Sequence, residues 1–373
     1  MKGYLQSFSV RFEYPVVFTR RLFDSSNPVL ARTLRRIAQE PRPQIMAFVD
    51  NGVARIARQV ERRLGVRAVV VPGGERLKNG SALVRSILSA LIEARMHRHS
   101  IVVIVGGGAV LDAVGFAAAL VHRGLRVVRV PTTALAQCDS GVGVKNAVNW
   151  GGGKNLVGTF APPAAVLNDL EFLKTLSDGG WRDGIAEAFK VAIIKDRIFF
   201  RWLCRNAPAL KARRGKAVEH LIRRCAELHL YHIQTSGDPF EQGSARPLDF
   251  GHWAAHKLET MSKYRIRHGE AVASGVALDS VYACLNGWIT PTELSEIING
   301  LRCCGLRLWR PELERRTRDG TWELWGGLRD FQEHLGGELC VTFPDGLGRR
   351  KEVRKISART MKRAGEILKD SSC

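Results

Sequence analysis

The chain has 373 residues, of which 45% are hydrophobic and 25% charged, and it carries a formal net charge of +21. This composition is typical of globular proteins and excludes a collagenous chain, a disordered chain and a disulfide-stapled mini-protein. At this length, two domains of about 150 to 200 residues each are the expected organisation.

No part of the sequence has the roughly 18 consecutive apolar residues that a membrane helix needs, and the first residues lack the apolar core of a signal peptide. The eight cysteines show no CxxC pair and no regular spacing. Free thiols are therefore more plausible than disulfides or a zinc knuckle. We expect a cytoplasmic protein that has no membrane partner.

The net charge of +21 could reflect an anionic partner, because a strongly basic protein surface concentrates anions around it. The basic residues are spread over segments that we predict to be helical, and no nucleic-acid-binding motif interleaves with them. These segments cover residues 55–67, 197–224, 302–318 and 349–363. An arginine-rich solvated surface is the first interpretation, and an anionic cofactor or phosphorylated small substrate is the second. We expect no nucleic-acid partner.

Up to about Leu176, short apolar runs alternate with amphipathic stretches, which predicts an α/β, Rossmann-like domain with a mostly parallel sheet. The predicted strands are Ile45 to Val49, Ala68 to Val71, Ile101 to Val105, Val127 to Val130 and Ala165 to Leu167. The predicted helices between them are Val53 to Leu64, Ser81 to Met96 and Ala109 to Val121. Polar or glycine-rich turns follow the first four strands, so these turns are expected to share the ligand-binding edge of the sheet.

Gly106, Gly107 and Gly108 directly follow an apolar strand and open a helix, with Asp112 one turn later. Glycines at this place let backbone N–H groups approach a pyrophosphate at a helix N-terminus. The spacing is not GxGxxG, and a merely tight turn would look the same.

A second glycine-rich stretch runs from Asp139 to Asn155 and carries Lys145 and Lys154. Ammonium groups and exposed backbone N–H groups suit a phosphate or another oxyanion. We interpret the stretch as an anion-binding loop, with a flexible surface loop as the alternative.

From residue 177 to the C-terminus, helical periodicity prevails, and β-rich sequence is nearly absent until Glu338 to Phe343. We therefore predict domains at residues 1–176 and 177–373, the second mostly α-helical. In this second domain His252 and His256 are four residues apart, so both imidazoles lie on one helix face. With His268 and Glu187 they offer the imidazoles and the carboxylate that a catalytic divalent metal uses. Histidines on helices are otherwise usually surface or satisfied core residues.

In combination, these motifs and their order resemble the dehydroquinate synthase family, the sugar phosphate cyclases. In chain order the matching motifs are GGE ending at Glu75, GGGAVLD at Asp112, VPTT at Thr133, QCDSGVGVK at Lys145, GGGKN at Asn155, LKTL at Leu176, GIAEAFK at Lys190, DFGHWAAH at His256 and HGE at Glu270. The resemblance runs from about Asp50 to about Leu285 and implies an NAD-binding domain followed by a helical metal-binding domain.

The resemblance also implies roles for individual residues. Glu187, His252 and His268 match the ligands of zinc, for which cobalt is an alternative. The residues that match NAD-binding positions are Asp50, Glu75, Lys78, Gly106, Gly107, Gly108, Asp112, Thr132, Thr133, Asp139, Lys145 and Lys154. The residues that match catalytic positions around the substrate are Asp139, Lys145, Lys190, Glu241, His256 and Asp249.

The phosphate of the substrate is expected near Lys145, Asn155 and His256. Arg123 matches an arginine that reaches this phosphate from the partner subunit, so the resemblance implies a homodimer. The implied reaction is a transient oxidation by NAD, β-elimination of phosphate, re-reduction and an intramolecular aldol closure, with no net redox change.

The sequence departs from dehydroquinate synthases where those enzymes hold the carboxylate of their substrate. At the positions of their lysine and arginine, counting along the sequence gives Tyr231 and Ala245, and Asp249 replaces an asparagine. Within the family, these changes imply sedoheptulose 7-phosphate as substrate and a valiolone-type cyclitol as product. Arg246, adjacent to the vacant position, could restore a cation for a carboxylate, so 3-dehydroquinate synthase remains the alternative. A second alternative is a metal-dependent NAD polyol dehydrogenase of related fold.

Overall fold

The computed structural model describes residues 3–79, 81–151, 153–240, 247–334 and 337–371. The predicted site residues Glu241 and Arg246, and also Ala245, lie outside the described residues. The described chain forms two compact units. The first comprises the residues up to 131 together with 144–169, and the second comprises 132–143 together with the residues from 170 onward.

The first unit is built on a parallel sheet, as predicted. Its strands are β1 (Val16–Thr19), β2 (Ile45–Asp50), β3 (Ala68–Val71), β4 (Ile101–Gly106), β5 (Arg126–Pro131), β6 (Lys145–Trp150), β7 (Gly153–Phe160) and β8 (Ala165–Asp169). Its helices are α1 (Val29–Ile37), α2 (Ala57–Leu64), α3 (Ser81–Glu93) and α4 (Gly108–Leu120). Six strands pair in the order β1-β8-β5-β4-β2-β3, and every pair is parallel.

Strand β4 forms the centre of this sheet because every residue from Ile101 to Val105 is apolar and fully buried. Such continuous apolar runs are typical of parallel strands that are covered on both faces. The register of β4 on β2 pairs Val103 with Ala47. Strand β1 and helix α1 were not predicted, because a four-residue edge strand carries too little sequence pattern to stand out.

The glycine-rich stretch from Asp139 to Asn155 does not form the loop that we predicted. Its first residues belong to a wide π-helical turn, Ala136–Ser140. The chain then continues into the antiparallel strands β6 and β7, where Lys145 pairs with Phe160. Gly151, in the connection between the strands, has a φ of +55°, a conformation that glycine adopts without steric cost. Lys145 and Lys154 therefore lie on a hairpin.

The second unit is mostly helical, which confirms the predicted fold class. Its helices are α5 (Asp178–Lys195), α6 (Arg197–Arg205), α7 (Ala207–Lys211), α8 (Gly215–Thr235), α9 (His252–Met261), α10 (His268–Leu285), α11 (Pro291–Cys303), α12 (Gly326–His334) and α13 (Ala358–Asp370). Strands β9 (Val341–Pro344) and β10 (Arg350–Val353) form an antiparallel hairpin. The helical interpretation of residues 349–363 was therefore wrong for β10. No helix in the described parts of the chain is long and apolar enough to span a membrane.

Helix α5 lies at the centre of the second unit, and every residue from Gly184 to Ile194 is buried. Its first turn is capped by Ser177, whose hydroxyl accepts a hydrogen bond from the Gly180 N–H at 3.2 Å. Gly184 lies against Ala134, in the segment that leads to the π-helical turn. A Cβ atom at Gly184 would lie 2.4 Å from the Ala134 Cβ and 2.9 Å from its carbonyl carbon. This contact sets how closely α5 approaches the turn.

We predict that Gly184→Ala lowers the free energy of unfolding by about 1 to 3 kcal/mol, because the added methyl group must displace backbone. Gly180→Ala in the same helix is the matched control. Its Cβ would meet atoms at 3.5 Å or more, so a gain of up to about 1 kcal/mol in helix propensity is expected. Urea unfolding of both variants measures the difference. Equal effects of the two substitutions would contradict the proposed close packing.

Candidate active site

Three predicted metal ligands converge in the second unit. Glu187 comes from the middle of α5, while His252 and His268 are the first residues of α9 and α10. Glu187 Oε1 lies 3.6 Å from His252 Nε2 and 3.3 Å from His268 Nε2. One ligand atom from each residue lies within 4.8 Å of the others. The side chains of Glu187, His252 and His268 are only 1%, 8% and 22% exposed.

A backbone contact between two helices brings the histidines together. Gly251, just before α9, has a φ of +77°, and its carbonyl oxygen lies 2.1 Å from where a Cβ of Gly275 would be. Glycine is needed at both positions, since Gly251 requires a left-handed backbone and Gly275 has no space for a side chain. The start of α9 therefore packs directly onto α10, and His252 faces the first turn of α10.

Both histidines are oriented by hydrogen bonds from Nδ1. His252 Nδ1 lies 3.2 Å from the Phe250 carbonyl oxygen, and His268 Nδ1 lies 3.0 Å from Glu259 Oε2. A carbonyl or a carboxylate can only accept, so in both rings Nδ1 donates and Nε2 keeps its lone pair. This is the tautomer that binds a metal through Nε2, with the outer partner fixing the ring. The donor set of two imidazoles and a carboxylate therefore fits Zn²⁺ or Co²⁺ with an open coordination position.

Glu187 is charged although it is buried. Burial raises the pKa of a carboxyl, but its charged surroundings, first of all the Lys190 ammonium, outweigh this effect and hold the pKa of Glu187 well below its ordinary value. Lys190 Nζ lies 2.5 Å from Glu187 Oε2 and 3.5 Å from Asp139 Oδ2. Burial lowers the pKa of Lys190, but Glu187, Asp139 and Asp249 raise it above its ordinary value. Lys190 is therefore a permanent cation next to the metal ligands.

Asp139 and His256 complete this part of the site. Burial raises the pKa of Asp139, but Lys190 and His229 hold it below its ordinary value. His256 follows His252 by one helical turn, and its ring centroid lies 5.3 Å from that of His252 and 5.9 Å from that of His268. His256, Glu259 and His268 form a second, overlapping group of possible ligands. The hydrogen bond from His268 to Glu259 favours an orienting role for Glu259.

The predicted dinucleotide turn lies in the first unit. Asp50 Oδ2 accepts a hydrogen bond from the Gly107 N–H at 3.3 Å, and its Oδ1 accepts one from the Gly52 N–H at 2.8 Å. A Cβ on Gly73 would lie 2.2 Å from Asp50 Oδ1. The turns after β2, β3 and β4 therefore meet at one edge of the sheet, as expected for a ligand-binding edge.

Lys78 connects several other residues that match NAD-binding positions. Its ammonium is buried and lies 2.8 Å from Asp112 Oδ2 and 4.0 Å from Glu75 Oε1, and it also donates to Asn155 Oδ1. Asn149 accepts from the Asn155 N–H at 2.9 Å and donates to Glu75 at 2.9 Å. Asn155 itself has a φ of +55°. The hairpin is thus tied to the turn after β3.

The remaining predicted residues are spread over the two units. Thr132 is buried, and Thr133 Oγ1 accepts from the Ala136 N–H at 3.2 Å, so both lie in the segment before the π-helical turn. Lys145 is exposed on β6, and Lys154 is half-buried on β7. Arg123 is exposed after α4.

Comparison with known proteins identifies the family. The model for the 3-dehydroquinate synthase N-terminal domain matches residues 68–183, and the model for the C-terminal domain matches residues 184–319. The chain belongs to the 3-dehydroquinate synthase family. It is a sugar phosphate cyclase of that family, and the three predicted metal ligands all lie within the matched part.

Several solved structures are similar over almost the whole chain. 2-Epi-5-epi-valiolone synthase from Streptomyces hygroscopicus subsp. jinggangensis 5008, with NAD⁺ and Zn²⁺ bound, is 29% identical, covers 99% of this chain and 100% of its own, and has a TM-score of 0.88. 2-Deoxy-scyllo-inosose synthase with carbaglucose-6-phosphate, NAD⁺ and Co²⁺ is 23% identical, with coverages of 95% and 96% and a TM-score of 0.78. Glycerol dehydrogenase from Schizosaccharomyces pombe is 15% identical, with coverages of 98% and 92% and a TM-score of 0.64. The last two similarities show the fold alone.

Three residues that sequence reasoning missed contact the family motifs. Glu259 orients His268, while Asp279 accepts hydrogen bonds from the Gly251 N–H at 3.2 Å and Trp253 Nε1 at 3.0 Å. His229 on α8 lies against Asp139. Tyr231, which counting along the sequence placed at a substrate position, is 63% exposed. The one available signal for Glu259 was its position, one helical turn after His256.

We predict that Glu259→Gln weakens metal binding by about 10- to 100-fold, as loss of an outer-shell partner does in other sites. The amide is neutral, so it no longer stabilises the Nδ1–H tautomer of His268 by a charge-assisted hydrogen bond. Titration of the metal-depleted protein with Zn²⁺ against a chelator measures the affinity. Glu270→Gln is the control, because Glu270 pairs with Arg310 at 3.3 Å. Unchanged affinity in Glu259→Gln would rule out the orienting role.

We predict that Asp279 makes stability depend on pH. Burial raises the pKa of Asp279 to about 8, despite the two hydrogen bonds that lower it. The unfolded chain loses this proton near its ordinary pKa of about 4. Between these pH values the folded state binds more protons, so the carboxyl's contribution to stability falls as pH rises and is constant above about 8.

Asp279→Asn removes this titration and keeps an oxygen within reach of both donors. Relative to the variant, the native chain should therefore lose free energy of unfolding steadily from pH 5 to pH 8. Urea unfolding at several pH values measures the difference. A constant difference between the two proteins across this range would show that Asp279 is already ionised in the folded state.

Proposed function

We propose that this protein is an NAD- and zinc-dependent cyclase that converts sedoheptulose 7-phosphate into a valiolone-type cyclitol, with cobalt as an alternative metal. The overall similarity to 2-epi-5-epi-valiolone synthase supports this proposal, since it extends over 99% of the chain at 29% identity. The classification that follows is a carbon–oxygen lyase that eliminates phosphate, acting in cyclitol biosynthesis.

The observation that carries the substrate assignment is Asp249, close to the metal ligands. Asp249 ends a short 3-10 turn, Pro247–Asp249, before α9, and its charge contributes to the raised pKa of Lys190. A carboxylate at this place repels an anionic head group and accepts hydrogen bonds from a hydroxymethyl group. Sedoheptulose 7-phosphate carries such a hydroxymethyl group where the substrate of 3-dehydroquinate synthase carries a carboxylate.

We assign the metal to Glu187, His252 and His268. A metal ion held there would supply Lewis-acid stabilisation of negative charge on a substrate oxygen, and NAD bound to the first unit would supply hydride-transfer chemistry. Lys190 contributes a fixed ammonium group that neutralises charge developing nearby. The second helix histidine, His256, together with Lys145 and Asn155, is proposed to bind the phosphate that leaves, while Glu241 is assigned a catalytic role by the family match.

The first unit is proposed to bind NAD. Gly106, Gly107 and Gly108 form the turn between β4 and α4, and we assign the pyrophosphate to the N-terminus of α4, where the helix dipole favours negative charge. The residues assigned to the same cofactor by the family match are Asp50, Glu75, Lys78, Asp112, Thr132, Thr133, Asp139, Lys145 and Lys154.

We also propose a homodimer in which Arg123 reaches the phosphate of the partner subunit's substrate. Arg123 is exposed, and it follows His122 on left-handed backbone, with φ values of 49° and 65°. Non-glycine residues with such backbone angles are strained and often lie at functional sites. This supports a functional role for Arg123.

Two other activities compete with the proposal. The family member 3-dehydroquinate synthase acts on 3-deoxy-arabino-heptulosonate 7-phosphate, and Arg246 is the residue that would favour it. A polyol dehydrogenase shares the fold, as the glycerol dehydrogenase similarity indicates, and would accumulate NADH. A cyclase returns its hydride in each turnover and accumulates none.

We predict that the purified protein, loaded with Zn²⁺ and NAD⁺, releases phosphate from sedoheptulose 7-phosphate without accumulating NADH. Asp249→Asn should lower kcat/KM for this substrate by about 10- to 100-fold, because a charge-assisted hydrogen bond of about 1.5 to 3 kcal/mol is lost. A phosphate assay and NADH absorbance are the measurements.

Asp330→Asn, on the exposed face of α12, is the control for loss of one acidic charge. Asp330 pairs with Lys257 at 3.1 Å. Phosphate release from 3-deoxy-arabino-heptulosonate 7-phosphate alone would overturn the substrate assignment, and net NADH formation with a simple polyol would overturn the cyclase assignment.

A further inference from the structure

Helix α8 brings an imidazole to the site that none of the sequence motifs includes. His229 Nδ1 lies 2.9 Å from Asp139 Oδ1, and the two side chains are 17% and 23% exposed. The carboxylate of Asp139 is ionised, because its pKa is held below the ordinary value against burial. An ionised carboxylate can only accept, so His229 Nδ1 donates the hydrogen bond.

The other oxygen of Asp139 leads to the metal ligands. Asp139 Oδ2 lies 3.5 Å from Lys190 Nζ, which lies 2.5 Å from Glu187 Oε2. The contacts therefore run from the imidazole of His229 to the carboxylate of Asp139, and from there through the ammonium of Lys190 to the carboxylate of Glu187. The ammonium of Lys190 contacts two carboxylates, and His229 fixes the position of the Asp139 carboxylate.

Packing fixes the ring of His229 in this place. One helical turn earlier on α8, Cys225 contacts Cys138, the residue before Asp139. A Cβ at Gly143 would lie 3.4 Å from His229 Nε2, so the ring also lies against the segment that follows the π-helical turn. Tyr231 lies about 200° further round the helix and lines a surface cavity of about 1110 Å³ with Arg224 and Gln234. Of these two residues, His229 is the one that faces the site.

We propose that His229 is a positioning residue, which holds Asp139 by a hydrogen bond so that Asp139 and Glu187 share the ammonium of Lys190. Without His229, the Asp139 carboxylate can rotate away from Lys190. Lys190 then pairs with Glu187 alone and competes with a metal ion for that carboxylate. This inference deepens the proposed function and rests on it for the kinetic measurement.

The experiment compares His229→Asn with His229→Leu. The asparagine amide nitrogen can take the position of Nδ1 and donate to Asp139, whereas leucine has a similar volume and no donor. His220→Leu is the matched control, because His220 is exposed on the same helix and packs against Trp202 at 4.2 Å between ring centroids. Two quantities are measured: Co²⁺ affinity and visible spectrum in the metal-depleted protein, and kcat and KM for phosphate release.

We expect His229→Leu to weaken Co²⁺ binding by about tenfold, the lower end of the effect of outer-shell partners, and to change the Co²⁺ spectrum. It should lower kcat to a similar extent and leave KM unchanged, since His229 contacts Asp139 and is not assigned to the substrate. His229→Asn should retain most of both properties, and His220→Leu should match the native chain.

Native Co²⁺ affinity and kcat in His229→Leu would overturn the positioning role. Equal damage in His229→Asn and His229→Leu would also overturn it, because the shape of the ring and not its hydrogen bond would then matter. If the native chain releases no phosphate from sedoheptulose 7-phosphate, the proposed function fails, while the Co²⁺ measurements still decide the role of His229.

Discussion

The structure of the second unit depends on keeping one carboxylate, that of Glu187, charged in a buried position. An isolated carboxylate in such a place would become protonated, because burial disfavours its charge. Lys190, one turn away on α5, prevents this, because its ammonium lies 2.5 Å from Glu187 Oε2. A carboxylate that keeps its charge is also one that can bind a metal ion. The candidate metal site therefore depends on the ion pair between Lys190 and Glu187.

The helices satisfy this requirement through close backbone packing. Contacts at Gly184 and Gly275 let α5 and α10 approach neighbouring backbone at distances that any side chain would prevent. The histidines begin helices, so their positions follow from where α9 and α10 start. Asp279 holds the Gly251 turn from within α10. The predicted metal ligands thus lie on rigid elements, and this rigidity suits a site that must hold a defined geometry.

Much of the fold and of the candidate site could be predicted from the sequence, because these features depend on residue types that lie close together in the chain. The apolar runs of β2 to β5 predicted the parallel sheet, and the motifs around Glu187, His252 and His268 predicted the donor set. Long-range contacts were harder to predict. The hairpin of β6 and β7 has polar, glycine-rich strands without clear alternation. Counting ten residues back from Glu241 reached Tyr231, whereas the structure shows that His229 is the residue of α8 that lies against Asp139. Partners such as Glu259 depend on how helices pack, which no local pattern encodes.

The charges around Lys190 bear on both the metal and the substrate. Three carboxylates, those of Glu187, Asp139 and Asp249, act on this one ammonium group. The group is therefore acid-rich, although the chain as a whole carries a net charge of +21. A bound divalent cation would balance the two excess negative charges. A substrate with an additional carboxylate would meet repulsion from Asp249, whereas a hydroxymethyl group could donate to it. The local charge, and not the strongly basic composition, is therefore what supports the proposed neutral head group on the sugar phosphate.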